Sequence, residues 1–472
     1  MNIFSSSFLI FIFLVFVLYY LPISKIKNYQ NYVLLIGSSI FYMVFSLKFY
    51  VLLLVSSLSI YFLMLLGSKR KIKLYFNIAI CLPIGMLLTF KYLNFFGEQF
   101  CSFINMFGCT TNWATIHLIL PLGISFYSFK QLCYIIDLKK KKISHGNIFC
   151  FLNYILLFNT ITAGPIDRPK HIFDQLRNQR SFNYELARDG ITQIVWGFFK
   201  KITIADVFAL LVDEAWQNYD NLSPLYLILC SILYSFQIYF DFSGYSDIAI
   251  GIGKLLGLRH MQNFRFPYFA RSISEFWRRW HISLTSWFTE YIYIPLGGSY
   301  YGKVRKAFNT LIVFAVSGLW HGANWTFILW GIYHGALFVP SIITNKKASK
   351  NEIEILTFKM ILKIGMVFLL VTLGWMLFRA PSVNDFVGYI DRIVSCRQLE
   401  GAFGGIKKVH CVSMILFLIA IFVEWKNRLY EYGLQKMSQR FSYKWYIVIP
   451  SLLILIFLFL NVGGGEFIYA NF

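Results

Sequence analysis

Residues 317–338 read SGLWHGANWTFILWGIYHGALF, an apolar stretch whose only groups titrating near neutral pH are His321 and His334. An imidazole has an unperturbed pKa of about 6.5, and burial in a low dielectric lowers it, so a buried histidine is neutral and can act as a general base. An ionisable side chain at membrane depth carries a desolvation penalty that packing alone does not require, and is functional by default. The two histidines do not form a simple pair. Thirteen residues on one straight helix mean about 20 Å of rise and roughly 220° of rotation. Gly322 and Asn324, however, can break the helix just after His321, which puts His321 at a bend and His334 on the next helix. His321 has the richer context, with Trp320 and Trp325 as bulky walls and Gly318 and Gly322 permitting close approach.

Haem and metal chemistry are not supported. A thirteen-residue spacing also occurs in haem-ligating helices, but these need a facing helix with matching histidines. Of the other six, His117, His145, His171, His260, His281 and His410, only His117 falls within another expected span. Eight cysteines include no C-x-x-C pair, so a zinc site is not expected, and Cys101 with Cys109 fits either a disulfide or two free thiols. Asp241 and Asp247 in YFDFSGYSDIAIGIGKLLG, residues 239–257, lie in an apolar helix, where acids pair with a base or line a wet cavity. They could orient a histidine or hold basic neighbours. Gly251, Gly253 and Gly257 do not spell a dinucleotide fingerprint, and small-residue helix packing accounts for Gly253 and Gly257. Arg278 and Arg279 in WRRWH fit an anionic cofactor or lipid phosphates equally. Neither a G-x-S-x-G elbow nor a phosphate-cradling P-loop is present. A histidine without a serine nucleophile fits direct transfer, in which the base deprotonates an incoming hydroxyl that attacks a pre-activated acyl group.

The elements that hold these residues are membrane helices. The 472-residue chain is 57% hydrophobic, 19% aromatic and only 14% charged, with a mean hydropathy of +0.59. Apolar runs recur along it, and roughly 20 residues are needed to cross the hydrocarbon core. The expectation is an all-α polytopic transmembrane bundle of about ten or eleven spans plus re-entrant and interfacial helices. Residues 8–24 lack a basic leader and a small-residue cleavage site, and are read as the first retained span. The net charge of +22 follows topology: Lys25, Lys27, Lys69, Arg70, Lys71, Lys73 and Lys139–Lys142 fall in loops on one side, and the loops between them carry acids without lysine or arginine. That is the positive-inside pattern, with the N-terminus outside, and it makes a nucleic-acid partner unnecessary. Residues 379–408 run against the pattern, placing Arg379, Arg392, Arg397, Lys407 and Lys408 outside.

Along the chain, residues 1–112 read as N-terminal transmembrane helices, 113–345 as a core with the histidine hairpin, and 346–472 as C-terminal transmembrane helices with an aromatic tail. A fifth span is expected over ATIHLILPLGISFYSFKQLCYIID. Residues 147–165, flanked by basic stretches on both sides, should enter and leave by the same face. Residues 254–306, aromatic and basic, read as interfacial helices with Trp and Arg interleaved.

Six of these stretches together resemble the membrane-bound O-acyltransferases: LPLGISFYSFKQLCYIIDL, AGPIDRP, YFDFSGYSDIAIGIGKLLG, FRFPYFARSISEFWRRWHISLTSWFTEYIYIPLGG, SGLWHGANWTFILWGIYHG and GWMLFRAPS. The likeness runs from about residue 119 to 382, nearest to the bacterial alginate and peptidoglycan O-acetyltransferases, with the teichoic acid D-alanyl transferase as a cousin. It implies that His321 is catalytic and His334 the second histidine. It also implies funnels from each face meeting near His321 and a thioester donor, acetyl-CoA, arriving from the cytosol. Trp320, Asn324, Trp325, Asp241, Arg278 and Arg279 are the expected substrate-binding residues, with no metal. The tail EFIYANF is similar to a motif whose tyrosine receives the acyl group, here Tyr469, although Ala470 stands where an aromatic is usual. Lys130 stands where the family commonly has a small polar residue. The expected activity is O-acetylation of an envelope or exported polysaccharide from the bacterial plasma (inner) membrane, with a separate extracytoplasmic SGNH-type acetyltransferase as partner. The alternatives are D-alanyl transfer from a carrier protein to teichoic acid, and a non-enzymatic transporter of glycans or lipid-linked intermediates.

Overall fold

The computed structural model describes residues 5–21, 28–70, 72–344, 357–395, 405–439 and 443–463. Tyr469 and Ala470, together with Lys25, Lys27, Lys71 and Arg397, lie outside them. Among the described residues all regular structure is helical. Among the described residues six helices are long and apolar enough to cross a membrane: Leu47–Arg70, Lys73–Asn105, Pro224–Leu255, Trp325–Ile343, Phe358–Arg379 and Lys408–Lys426. Ser7–Tyr19 and Tyr443–Phe459 are shorter apolar helices. Other runs expected to span carry buried charge, as Lys130 and Asp137 in Ile124–Lys139 and Lys200 and Lys201 beyond Tyr184–Phe198.

The chain divides into two compact units. One comprises residues 1–190 with 252–261, the other 191–251 with most of 262–470. In the first unit, the fifth expected span is helical only over Ile124–Lys139. Pro121 lacks a backbone N–H, and Gly123 sits in the left-handed region at φ 69° before the first turn, so residues 114–122 stay outside the helix and His117 with them. The segment expected to re-enter folds as the nine-residue helix Ile148–Leu156, about 14 Å long and too short to cross a bilayer, followed by turns. His260 Nδ1 is bonded to Asp167 Oδ2 at 2.6 Å, and Met261 N donates to Asp167 Oδ1 at 2.8 Å. This anchors AGPIDRP to the chain that follows Pro224–Leu255. Gly253 makes room for the His260 ring, since a Cβ there would collide with it. Gly257 lies past the helix end at φ 72°. The helix-packing role expected of these two glycines is therefore replaced by a ring contact and a left-handed turn. Lys130 Nζ donates to Thr160 Oγ1 at 2.8 Å, and Cys101 and Cys109 are free thiols.

The second unit begins at Ile191, within the helix Tyr184–Phe198, and continues through a π-helical stretch, Phe199–Ala205, into Asp206–Gln217. Its two lysines turn to acids on Pro224–Leu255 and nearby: Lys200 Nζ meets Asp247 at 2.6 Å, and Lys201 Nζ meets Asp241 at 2.6 Å and Asp206 at 2.7 Å. The region expected to be interfacial consists of short pieces, Ile273–Arg279 and Ile282–Phe288, neither longer than two turns. Ser272 caps the first, its Oγ accepting from Glu275 N. Arg379, one of the basic residues that strain the topology, pairs at 2.6 Å with Asp213, which lies in the helix Asp206–Gln217 and not in a loop.

Candidate active site

The helix Gly302–His321 ends at His321, and a second begins at Trp325. Gly322 is extended at the break, and Asn324 caps the second helix by accepting from Thr326 N at 3.1 Å. The two helices press together through glycines. A Cβ on Gly318 would collide with the backbone oxygen of Phe327, and one on Gly331 with that of Phe314. The close crossing turns both histidines into one aromatic cage.

His321 is 3% exposed, with ring centroids of Trp320, Trp330 and Phe378 at 4.9, 5.1 and 5.2 Å. His334 is fully buried against Trp277 at 5.1 Å, Trp330 at 5.2 Å and Tyr333 at 5.3 Å. Trp330, itself fully buried, is the ring both imidazoles touch, and Trp375 stacks on it at 5.6 Å. Neither ring nitrogen of His334 has a hydrogen-bond partner among the described residues. A buried polar group left this way calls for an explanation beyond packing. Gly374 leaves the space that ring occupies: a Cβ there would stand 2.5 Å from His334 Nε2.

A third imidazole borders the cage. His281 is 1% exposed, holds a left-handed backbone at φ 42°, and lies 4.6 Å from the Phe242 ring and 6.3 Å from Trp320, the neighbour of His321. Burial pushes its pKa down to about 3, so the ring is neutral at physiological pH. In the sequence it is one of six further histidines, marked only by Trp280 directly before it and Trp277 four residues earlier in WRRWH.

Beside the cage opens a cavity of about 820 Å³. Arg278 and Lys306 supply its positive charge, Thr285, Thr289, Thr310 and Ser317 its hydroxyls, and Trp277, Phe314 and Phe338 its apolar wall. Ser317 is one helical turn before His321, and Trp277 is the wall shared by the cavity and His334. Neither His321 nor His334 lines the cavity itself.

The other expected site residues disperse. Arg278 is exposed and faces the cavity, whereas Arg279 pairs with Glu275 at 2.6 Å. Trp320 packs on His321, while Trp325 is 48% exposed. Asn324 acts on the backbone, as the cap and as a donor to Pro381 O at 2.8 Å. Asp241 is held by Lys201. Among the described residues no group of three or more His, Cys, Asp or Glu is placed to hold a metal.

The fold is helical and membrane-type, with two buried histidines on either side of a helix break. Residues 5–378 match the membrane-bound O-acyltransferase family, and the chain belongs to it. It is an O-acyltransferase. It is 36% identical over 390 residues to the probable alginate O-acetylase AlgI of Pseudomonas aeruginosa, covering 81% of this chain and 73% of that protein. It is 33% identical over 427 residues to the peptidoglycan O-acetyltransferase of Helicobacter pylori, covering 83% and 79%. A 30% identity over 258 residues, half of this chain and 61% of the other, relates it to the teichoic acid D-alanyltransferase of Streptococcus thermophilus.

Proposed function

We propose that the protein moves an acetyl group from cytosolic acetyl-CoA across the bacterial plasma membrane for O-acetylation of an envelope or exported polysaccharide, with His321 as general base. The observation that carries this reading is the cavity that shares the Trp277 wall with the histidine cage and bears Arg278 and Lys306. Its positive charge suits the phosphates of a coenzyme A thioester, and its apolar wall suits the pantetheine arm. Two relatives at 33–36% identity carry the names of polysaccharide O-acetylating enzymes.

In this mechanism the neutral His321 imidazole takes the proton of an acceptor hydroxyl as its oxygen attacks the thioester carbonyl. The tetrahedral intermediate collapses with cleavage of the C–S bond, and the imidazolium returns the proton to the departing thiolate. The base is regenerated, and one ester and one thiol replace one thioester and one alcohol. His334, behind Trp330, shapes the same pocket. Tyr469 is the proposed first acceptor, its acetyl ester then passing to a separate extracytoplasmic SGNH-type acetyltransferase that acts on the polymer. D-alanyl transfer is the second reading, favoured by the 30% identity to a teichoic acid D-alanyltransferase. The full chain in proteoliposomes, offered radiolabelled acetyl-CoA or a D-alanyl carrier protein, separates the two. Label should reach Tyr469 or an acceptor only from acetyl-CoA. Turnover confined to the D-alanyl carrier overturns the proposal, and glycan movement without any thioester would restore the transporter.

A further inference from the structure

Arg278 and Arg279 are adjacent in sequence yet serve different recesses. While Arg278 faces the large cavity, Arg279 lines a small cleft with Arg271, Arg428, Trp425, Phe269 and Met360. The cleft holds about 20 Å³ of open space.

Its three guanidiniums are held in place before any ligand arrives. Glu275 Oε1 accepts from Arg279 Nη2 at 2.6 Å, and Glu275 Oε2 lies 3.4 Å from Arg271 Nε. The side chains of Arg271 and Arg279 are 12% and 14% exposed, so both are partly desolvated. Arg428 lies 4.5 Å over the Trp425 ring and donates to Trp425 O at 3.0 Å. Arg271 and Arg279 share the Glu275 carboxylate, and Arg428 brings a third guanidinium into the same cleft. Cations packed and oriented this close repel one another, at an electrostatic cost that a bound anion relieves.

The location narrows the anion. Met360 is in the first turn of Phe358–Arg379, and Trp425 is in the last turn of Lys408–Lys426. Both helices are candidate membrane spans, so the cleft lies where spans meet the aqueous boundary. Basic pockets between span ends on the cytoplasmic side recognise lipid headgroup phosphates, and planar guanidinium forks match phosphate oxygens in pairs. We infer that the Arg271, Arg279 and Arg428 cleft binds a phosphate group at the membrane surface, carried by an anionic phospholipid or by the coenzyme A donor. The lipid source stands without the proposed acetyl transfer; only the second source rests on that reading.

The test is binding to the full chain in neutral detergent, read by native mass spectrometry with phosphatidylglycerol as one probe and coenzyme A as the other. Wild-type protein should retain one equivalent of phosphatidylglycerol or bind coenzyme A, and Arg271→Gln and Arg428→Gln should each weaken this about tenfold or more. Arg428→Lys, which keeps the charge but not the fork, should fall between. Lys436→Gln, which removes an exposed lysine elsewhere, should change nothing. Displacement of the lipid by coenzyme A would assign the site to the donor, and retention of the lipid would assign it to the membrane. Failure of folded wild-type protein to bind either probe overturns the inference. So does an equal loss in Lys436→Gln.

Discussion

Replacing Gly374 by alanine puts one methyl group where the edge of His334 now lies. The new Cβ would stand 2.5 Å from Nε2, 3.1 Å from Cε1 and 3.2 Å from Tyr333 Cε1. Ordinary carbon contacts begin near ~3.5 Å, so the imidazole must withdraw by about 1 Å. It has little room to do so, because Trp277 and Trp330 pack at 5.1 and 5.2 Å on its other sides. Overpacking of this kind costs about 1–3 kcal/mol, and a displacement of about 1 Å at a positioned group lowers turnover by ~100-fold. Gly365 lies in the same helix with nothing within 4 Å of its notional Cβ. Gly365→Ala therefore serves as the matched control and should be neutral or slightly stabilising. Both variants would be reconstituted in proteoliposomes at equal folded protein and assayed for acetyl transfer, with thermal unfolding in detergent alongside. Gly374→Ala should lose one to two orders of magnitude in kcat, whereas Gly365→Ala should match wild type. Wild-type turnover by a normally folded Gly374→Ala protein would refute the claim that the position of His334 matters to the reaction.

Two further outcomes follow from charges in the second unit. Lys201→Met strands the buried carboxylates of Asp241 and Asp206, and should destabilise the protein by about 3–5 kcal/mol; thermal unfolding in detergent measures the loss, and the Lys201→Met/Asp241→Asn double variant should recover part of it. Arg278→Gln removes a cation from the cavity but touches neither imidazole cage wall, so the KM for acetyl-CoA should rise severalfold while kcat holds; a kcat loss at constant KM would place Arg278 in the chemistry instead of donor binding.

The features legible in the sequence are those that local backbone chemistry decides. Gly322 and Asn324 mark a helix break that needs no distant partner, and the chain does stop at His321 and restart at Trp325. The change at 254–306 from long apolar runs to an aromatic and basic stretch is readable from pattern in the same way, although its division into short pieces is not. Pairings set by tertiary contact are not. Two lysines in an apolar run reveal that acids must meet them, but whether Lys200 takes Asp247 and Lys201 takes Asp241 depends on how the helices cross. Gly253 reads as a packing glycine because the sequence does not disclose that His260, seven residues on, folds back against it. The apolar run at 114–123 looks helical by composition, yet Pro121 and Gly123 delay the helix to Ile124. His281, just before the helix Ile282–Phe288, and Gly374, within Phe358–Arg379, reach the cage by tertiary packing that their sequence positions do not disclose.

The central claim is that a neutral imidazole at position 321 moves the proton during acyl transfer. It is tested most directly by the rate of acetyl transfer from acetyl-CoA in proteoliposomes bearing His321→Ala or His321→Gln, at protein levels and melting temperatures equal to wild type. A general base is worth about 10²–10⁴-fold, so transfer should fall by that factor in both variants while coenzyme A binding persists. Acetylation at the wild-type rate by either folded variant would contradict the account.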